Sequence, residues 1–470
     1  MQMALVFVRA KIIAVLLGPS GIGIYSILVS IVMVVQQIGS LGIYQSGVRE
    51  LSILHASDKA AYADARSSFL AMSLFCGVCC AAIMALLSPA FDLLFFKNDS
   101  HLWYIAATAI GVLFFSLASG RNTLLQAGGR LTALAKASVS SSLAGVSIAG
   151  IIIYLFKYTG IPSAIVAGYA VMWLFARYKE RHNEASERLY FSWNIKEHYR
   201  SNKKIIDLGA YLMAGTLAIL LFTLLLNAVI SSTGIDKVGY YQAAASIMSQ
   251  GLVVCSMVLA ADFFPRISKA SENNAEVKTL TNQELSMLVI LILPISSVLI
   301  VFSQLVVEIL YTPEFGIVSQ MIRIMAISLI FRVVWITFSY VILSKGDKKR
   351  YLIMDALVGN GLNFALCIVG FRIGGLNGIA LAWLISAVAV AAILALSCKK
   401  YYGAAISTRN LIQLGISFGI TLVLTILISH NSLLCNYAAW SILIAVIALT
   451  AYRIHRSTEL FAILAKRFKK

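Results

Sequence analysis

Residues 3–17 read MALVFVRAKIIAVLL, an apolar run that holds the two cations Arg9 and Lys11. The run ends in the turn GPSG at 18–21, and a second apolar run continues to Arg49. Apolar runs of about 20 residues are typical of helices that cross a membrane. Placing an Arg or Lys at the middle of a membrane costs about 2.5–3.5 kcal/mol on insertion scales. We therefore expect Arg9 and Lys11 to face a polar cavity, which is the predicted functional site.

The composition of the whole chain is that of a membrane protein. Its 470 residues are 60% hydrophobic and only 12% charged, and the mean hydropathy is +0.87. A soluble core could not cover this much apolar surface. Membrane β-barrels show alternating strands of about ten residues, whereas the apolar runs here are long and unbroken. The sequence therefore predicts an all-α polytopic membrane protein.

About fourteen apolar segments are long enough to cross a bilayer as helices. They lie at roughly 3–17, 22–46, 70–96, 102–124, 137–156, 161–178, 205–230, 238–262, 284–310, 318–343, 351–371, 376–397, 410–429 and 434–452. The first segment is short for a span. We hypothesise that the native chain starts upstream of Met1, or that the assigned initiator is internal, and N-terminal mass analysis of the native protein tests this.

Basic residues are divided unequally between the two sides of the predicted membrane. Of the 38 Lys and Arg residues, 30 lie on one side and four on the other. Because positively charged loops stay inside, both termini are predicted to be cytoplasmic. The net charge of +18 is explained by contact with anionic lipid and needs no nucleic-acid partner. The basic side consists of the tail after Tyr452 and the loops that begin at Arg49, Arg121, Arg177, Arg266, Lys345 and Lys399.

Three short motifs recur at an offset close to 217 residues. GIY at 23–25 matches GYY at 239–241, DLLF at 92–95 matches EILY at 308–311, and LQAGGR at 125–130 matches LSKGDK at 343–348. Because each half then holds six spans, both halves insert the same way up. The pattern predicts two parallel six-helix repeats about an axis along the membrane normal, with a site between them.

The repeat divides the chain into four parts. An N-terminal six-helix lobe covers 1–178, a cytoplasmic linker covers 179–204, a C-terminal six-helix lobe covers 205–400, and residues 401–470 hold two extra helices and a basic cytoplasmic tail. In proteins with parallel repeats, two such bundles rock around a central site.

The opening of the chain resembles one family in its residues. The run RAKIIAVLLGPSGIGIY at 9–25, followed by LG at 41–42 and by Arg49, is similar to the start of the O-antigen and polysaccharide repeat-unit flippases. These belong to the multidrug/oligosaccharidyl-lipid/polysaccharide exporter superfamily. The resemblance implies two six-helix lobes with two extra C-terminal helices, a cation-lined central cavity and alternating access. It also implies movement of undecaprenyl-diphosphate-linked sugar units from the cytoplasmic to the periplasmic leaflet.

Four cations lie inside the predicted spans and away from their ends, namely Arg9, Lys11, Arg323 and Arg332. Arg323 and Arg332 are nine residues apart, about 900° of helical rotation, so they project from opposite faces and only one can point straight into a cavity. Arg332 is nearer the middle of its span and is the better candidate. A guanidinium offers a planar fork of donors to the oxygens of a diphosphate. The alternative is a structural role, in which these cations snorkel or bond to helix carbonyls.

Two acidic residues occupy matching repeat positions near the outer ends of their spans. Asp92 and Glu308 could bind and release protons if transport is coupled to ions. They could equally lie hydrated at the interface, which we favour. Replacing Glu308 by Gln without losing ion dependence would exclude the coupling role for that residue.

Other kinds of site are not indicated. The seven cysteines and six histidines form no metal or catalytic pattern, and no cofactor is predicted. The sequence GPSGIG at 18–23 lacks the Lys and the strand context of a phosphate-binding loop. A membrane enzyme such as a repeat-unit polymerase needs convergent catalytic groups, usually on a large outer loop, whereas the outer loops here are short. The predicted protein is therefore not an enzyme.

Two related transport functions are the alternatives to the O-antigen type. An antiporter for organic cations of the same superfamily needs an acidic interior, and the predicted spans hold no Asp or Glu at mid-depth. A flippase of the lipid II type shares the need for a cationic interior. The expected partners are an undecaprenyl-diphosphate-linked saccharide, the lipid bilayer and polysaccharide polymerase machinery.

Overall fold

The computed structural model describes residues 2–97, 101–181, 203–430 and 432–456. The described part of the chain is 93% helical and contains no strand. The predicted all-α polytopic membrane fold is therefore confirmed. Most of the predicted linker 179–204 and most of the predicted cytoplasmic tail lie outside the described residues.

The first part of the chain forms helices joined by short turns. A 3-10 turn at Lys157–Thr159 joins the last two of them. In chain order they are α1 (Gln2–Gly39), α2 (Ile43–Ser57), α3 (Lys59–Leu86), α4 (Ser88–Phe95), α5 (Leu102–Ala127), α6 (Leu131–Phe156) and α7 (Gly160–Arg181).

The second part of the chain contains further helices and two π-helical segments. The π-helical segments are Leu259–Phe263 and Leu352–Gly359, and a 3-10 turn covers Pro313–Phe315. The helices are α8 (Lys203–Ser231), α9 (Ile235–Val258), α10 (Phe264–Lys269), α11 (Asn274–Val301), α12 (Ser303–Leu310), α13 (Gly316–Ser344), α14 (Lys348–Tyr351), α15 (Asn360–Tyr402), α16 (Thr408–His430) and α17 (Leu433–Arg456).

Among the described residues, 11 helical stretches are long and apolar enough to cross a membrane. Three of these contain a break. α1 is kinked at Gly18, the stretch 131–180 is divided by the turn between α6 and α7, and the stretch 348–402 is divided at Gly374 and Gly375. Dividing each stretch at its break gives fourteen segments, in agreement with the hydropathy of the sequence.

The break in α1 is caused by the motif GPSG. Gly18 has φ 67° and ψ −162°, a conformation that a residue with a side chain rarely adopts. Pro19 follows directly and has no N–H to continue the hydrogen-bond ladder of the helix. The two apolar runs of the opening stretch are therefore two separate helical segments.

Two glycines permit a close backbone contact between α1 and α9. A Cβ atom on Gly23 would lie 2.2 Å from the carbonyl oxygen of Ile235, and one on Gly239 would lie 2.0 Å from the carbonyl oxygen of Pro19. Any side chain at either position would overlap the neighbouring backbone. Small residues allow membrane helices to approach this closely, and these are the glycines of the matched motifs GIY and GYY.

The chain divides into two compact units. The first consists of 1–242 together with 310–314, and the second consists of 243–309 together with 315–470. In the first unit, α7 packs along α5 and α6, and a cluster of buried side chains joins α2, α3, α5 and the start of α8. In the second unit, α13 packs against both α11 and α15 and is the helix with the largest buried share of its span. Each unit thus has a core of its own.

Candidate functional site

In the second unit, Arg332 lies half-buried on α13 between aromatic side chains. Its guanidinium carbon lies 4.0 Å from the centre of the Trp383 ring and 5.5 Å from that of Trp335. Its Nη2 donates a hydrogen bond to Oδ1 of Asn363 over 3.3 Å. Indole faces attract cations within about 6 Å. The side chain predicted as the best anion ligand is therefore held in a fixed direction by two rings and an amide.

The surroundings of Arg332 form a polar network on α13, α15 and the π-helical segment 352–359. Ser386 donates to the same Oδ1 of Asn363 over 2.7 Å. Trp335 donates through its indole N–H to Oδ1 of Asp355 over 2.7 Å, and the hydroxyl of Ser339 donates to the same oxygen. Because π-helical turns often occur at functional sites, the position of Asp355 is notable. Sequence patterns do not connect these residues, because they lie on different helices.

Arg323 has different partners from Arg332, although both lie on α13. Its Nε donates to the hydroxyl of the buried Ser303, at the start of α12, over 2.8 Å. Arg332, by contrast, contacts side chains on α15. The described contacts therefore direct the two guanidinium groups toward different helices.

The two cations of the opening stretch lie in the first unit and have separate partners. The guanidinium of Arg9 lies 5.2 Å from the centre of the Tyr25 ring. The ammonium of Lys11 donates to the backbone carbonyl of Tyr311. Contact with a carbonyl is the structural alternative that the sequence left open for these cations. The contacts of Lys11 and Arg9 thus differ, and their role in binding an anion stays a prediction.

A polar cavity of about 410 Å³ lies at the break in α1. It is lined by residues 14–20 together with Tyr158, Thr312 and Glu314. The hydroxyl of Tyr158 donates to the carbonyl of Leu17 over 2.7 Å. Oε2 of Glu314 lies 3.0 Å from the place where a Cβ atom of Gly18 would be. Glu314 has no sequence signal of its own. It lies in a short loop, almost 300 positions after the turn at Gly18 that it faces.

The two acidic residues predicted for ion coupling have local contacts. Oδ1 of Asp92 accepts a hydrogen bond from the backbone N–H of His101 over 2.7 Å, which joins α4 to the start of α5. Glu308 is exposed, and its Oε1 accepts a bond from Nε2 of Gln304 over 3.0 Å on the same helix. Their role in coupling stays a prediction.

A buried ionic cluster in the first unit was missed by the sequence analysis. Glu180 is only 1% exposed. Its Oε1 accepts bonds from Nε and Nη2 of Arg66 over 3.2 and 2.8 Å, and its Oε2 accepts one from Nη1 of Arg121. Arg130 donates to the backbone carbonyls of Lys179 and Glu180. The predicted span ends at 178, but α7 continues to Arg181 and buries this carboxylate.

Comparison with known protein families gives one match. The sequence model of the family described as "Polysaccharide biosynthesis protein" matches residues 1–271, more than half of the chain. No curated protein matches the chain by sequence.

Comparison with solved structures shows the same fold in several transport proteins. "Lipid II flippase MurJ, inward closed conformation" has a TM-score of 0.74 at 14% identity and covers 97% of both chains. An inward-facing multidrug resistance MATE family transporter has a TM-score of 0.73 at 16% identity, covering 86% of this chain and 95% of the other. A MOP superfamily transporter from Pyrococcus furiosus has a TM-score of 0.61 at 16% identity, covering 86% and 92%.

Proposed function

The chain belongs to the polysaccharide biosynthesis protein family, and from this premise we propose that it is a flippase for a lipid-linked saccharide. The substrate is an undecaprenyl-diphosphate-linked O-antigen unit or a related polysaccharide repeat unit. It moves from the cytoplasmic to the periplasmic leaflet of a bacterial inner membrane by alternating access. The fold, which is also that of a lipid II flippase, supports this proposal, as does the high content of membrane helices.

The position of Arg332 is the observation that carries the proposal. It is a cation on a mostly buried membrane helix, and its guanidinium lies over the rings of Trp335 and Trp383. A charge at this depth is costly unless an anion or water compensates it. A diphosphate group supplies oxygens at the spacing that a guanidinium fork binds. Arg332 is therefore the proposed contact with the diphosphate, and Arg9, Lys11 and Arg323 are the further proposed cationic contacts.

Complementation of a flippase-null strain that makes the cognate polysaccharide tests this proposal. Arg332→Ala and Lys11→Ala should reduce surface polysaccharide and cause the lipid-linked intermediate to accumulate. Loss of one hydrogen bond between charged groups costs about 1.5–3 kcal/mol. We therefore expect export to decrease by roughly 10- to 100-fold. Arg332→Lys should restore part of the export, because it keeps the charge but not the planar fork.

Arg372→Ala is the matched control, because Arg372 is an exposed cation of the same unit and export should not change. Membrane levels of each variant are measured by immunoblot. Unchanged export in both Arg332→Ala and Lys11→Ala would contradict the anion-site proposal.

A flippase of the lipid II type is the second candidate. The match to the MurJ structure extends over 97% of this chain, including the C-terminal helices, whereas the MATE transporter covers 86%. Depletion of the native lipid II flippase in a strain that expresses this chain distinguishes the two. Rescue of growth would favour lipid II, and rescue of surface polysaccharide alone would favour the repeat-unit saccharide.

A further inference from the structure

The second unit contains a buried carboxyl that the proposed anion site does not use. Glu284 is 1% exposed and lies on α11, which begins at Asn274 after the capping residue Asn273. Ten residues of helix precede it, about 15 Å at 1.5 Å per residue. Hydropathy alone predicts a span at 284–310, with this residue at its edge. The earlier start of α11 instead places it well inside a helix.

Only one oxygen of Glu284 has a polar partner in the described part of the chain. Its Oε2 lies 3.4 Å from Nη2 of Arg266. Its Oε1 is buried and has no hydrogen-bond partner among the described residues. A buried oxygen without a donor loses its hydration and receives nothing in return. The ionised form of this carboxyl is therefore poorly stabilised on one side.

The counter-charge of Glu284 is shared with a second carboxylate. The same Nη2 of Arg266 lies 2.9 Å from Oδ2 of Asp262, which is nearer than its 3.4 Å to Glu284. The Arg266 and Asp262 side chains are 45% and 46% exposed. Asp262 lies on the π-helical segment Leu259–Phe263, and such segments often occur at functional sites. Arg266 and Asp262 thus connect the buried carboxyl with the surface of the unit.

Among the described residues, no salt bridge other than that with Arg266 reaches Glu284. The buried Cys255 on α9 interacts electrostatically with Glu284 but carries no positive charge. The ring of Tyr340 on α13 contacts Phe264, and Lys345 donates to Ser271 and Asn274. Arg409 on α16 and Arg453 on α17 line an apolar pocket together with Val289 and Leu293 of α11.

We propose that Glu284 is a proton-binding site that exchanges with water through Arg266 and Asp262. When the carboxyl binds a proton, it becomes neutral and Arg266 pairs with Asp262 alone. When the proton leaves, the carboxylate forms and Arg266 is shared between the two acids. Proton occupancy therefore changes the contact between α10 and α11. Proton binding itself is independent of the proposed transport, whereas its use to drive transport rests on that function.

Carbodiimide labelling tests the site directly, because dicyclohexylcarbodiimide reacts with protonated carboxyl groups in apolar surroundings. The purified full-length protein is labelled in detergent at a series of pH values. Mass spectrometry then measures the adduct on the peptide that contains Glu284. Labelling should be highest at low pH and should fall as pH rises. Glu180 is equally buried but paired with two arginines, and its peptide serves as the comparison for the extent of labelling.

Two variants should move the labelling midpoint in opposite directions. Arg266→Gln removes the counter-charge, so labelling should persist to a pH about one unit higher, the size expected for a charge at this distance. Asp262→Asn removes the competing acceptor, so labelling should be lost at a lower pH. Glu284→Gln should abolish the adduct and thus confirms its assignment.

If a variant fails to fold, the wild-type labelling series is sufficient to test the proposal. An unlabelled Glu284 at every pH in monodisperse protein would overturn the proposal. Labelling that does not change with pH would also overturn it, because the site would then not exchange its proton. Neither result depends on export, so failure of this proposal is distinguishable from failure of the flippase proposal.

Discussion

Glu180 in the first unit and Glu284 in the second unit are equally buried, at 1% exposure, but differ in what surrounds them. Both oxygens of Glu180 accept bonds from arginines that are themselves mostly buried. Glu284 shares one half-exposed arginine with Asp262, and its other oxygen has no partner among the described residues. Burial alone therefore does not tell what a membrane carboxyl does. The number of donors that reach its two oxygens is the more informative quantity.

The difference indicates two roles. A carboxylate that is bonded to two guanidinium groups joins three helices, here α3, α5 and α7. A carboxyl with an oxygen that nothing satisfies gains from binding a proton. We expect Glu180 to be structural and Glu284 to be exchangeable, and the following variants separate the two.

Glu180→Gln should have the largest effect on stability. It removes the charge that compensates Arg66 and Arg121, and breaking a buried ion pair by removing one partner typically costs about 3–5 kcal/mol. The measurement is the thermal unfolding midpoint and the yield of monodisperse protein in detergent. Equal stability of the variant and the parent would show that the cluster is not structural.

Arg66→Met should have a smaller effect, because Glu180 keeps its bond to Arg121. The cost should stay below the about 3–5 kcal/mol typical of breaking a buried pair, because the methionine also recovers some apolar packing. The same unfolding assay measures it. A combined Arg66→Met and Glu180→Met variant that is more stable than either single variant would support a purely structural pair, since apolar replacements of buried pairs are often tolerated.

Glu284→Gln should change stability by less than about 1 kcal/mol, because Arg266 is half-exposed and keeps Asp262 as its partner. An amide also supplies a donor and an acceptor that need no counter-charge. The comparison with Glu180→Gln uses the same isosteric change at the same degree of burial. If Glu284→Gln were as destabilising as Glu180→Gln, the distinction between the two carboxyls would be wrong.

Glu308→Gln should have the smallest effect, within about 0.5 kcal/mol, because exposed substitutions away from special features rarely exceed this. Its contact with Gln304 lies on the helix surface. The pH dependence of export should be the same as that of the parent. A changed pH dependence would restore Glu308 as a candidate for coupling and weaken the proposal for Glu284.

The fold could be predicted largely from the sequence because hydropathy and glycine are local signals. The run MALVFVRAKIIAVLL and the motif GPSG predicted two helical segments, and the structure shows the break at Gly18. The apolar runs also predicted about fourteen spans, which the divided helices match. Such signals require only the order of residues along the chain.

The sites could be predicted only in part, because their partners are distant in sequence. Lys11 bonds to a carbonyl 300 positions away, and Arg66 pairs with a carboxylate 114 positions away. Glu284 was missed for another reason. The first turns of α11 read NAEVKTLTNQ at 274–283, and a polar stretch of this kind lowers hydropathy even though it is helical. The predicted span therefore began too late, and the carboxyl was assigned to its edge.

The glycine contact between α1 and α9 has a mechanical consequence. Gly23 and Gly239 bring main-chain atoms together, so dispersion attraction contributes to the contact at this point. Such forces are short-ranged and have little directional preference. A single methyl group added at either glycine would act as a wedge between the two helices.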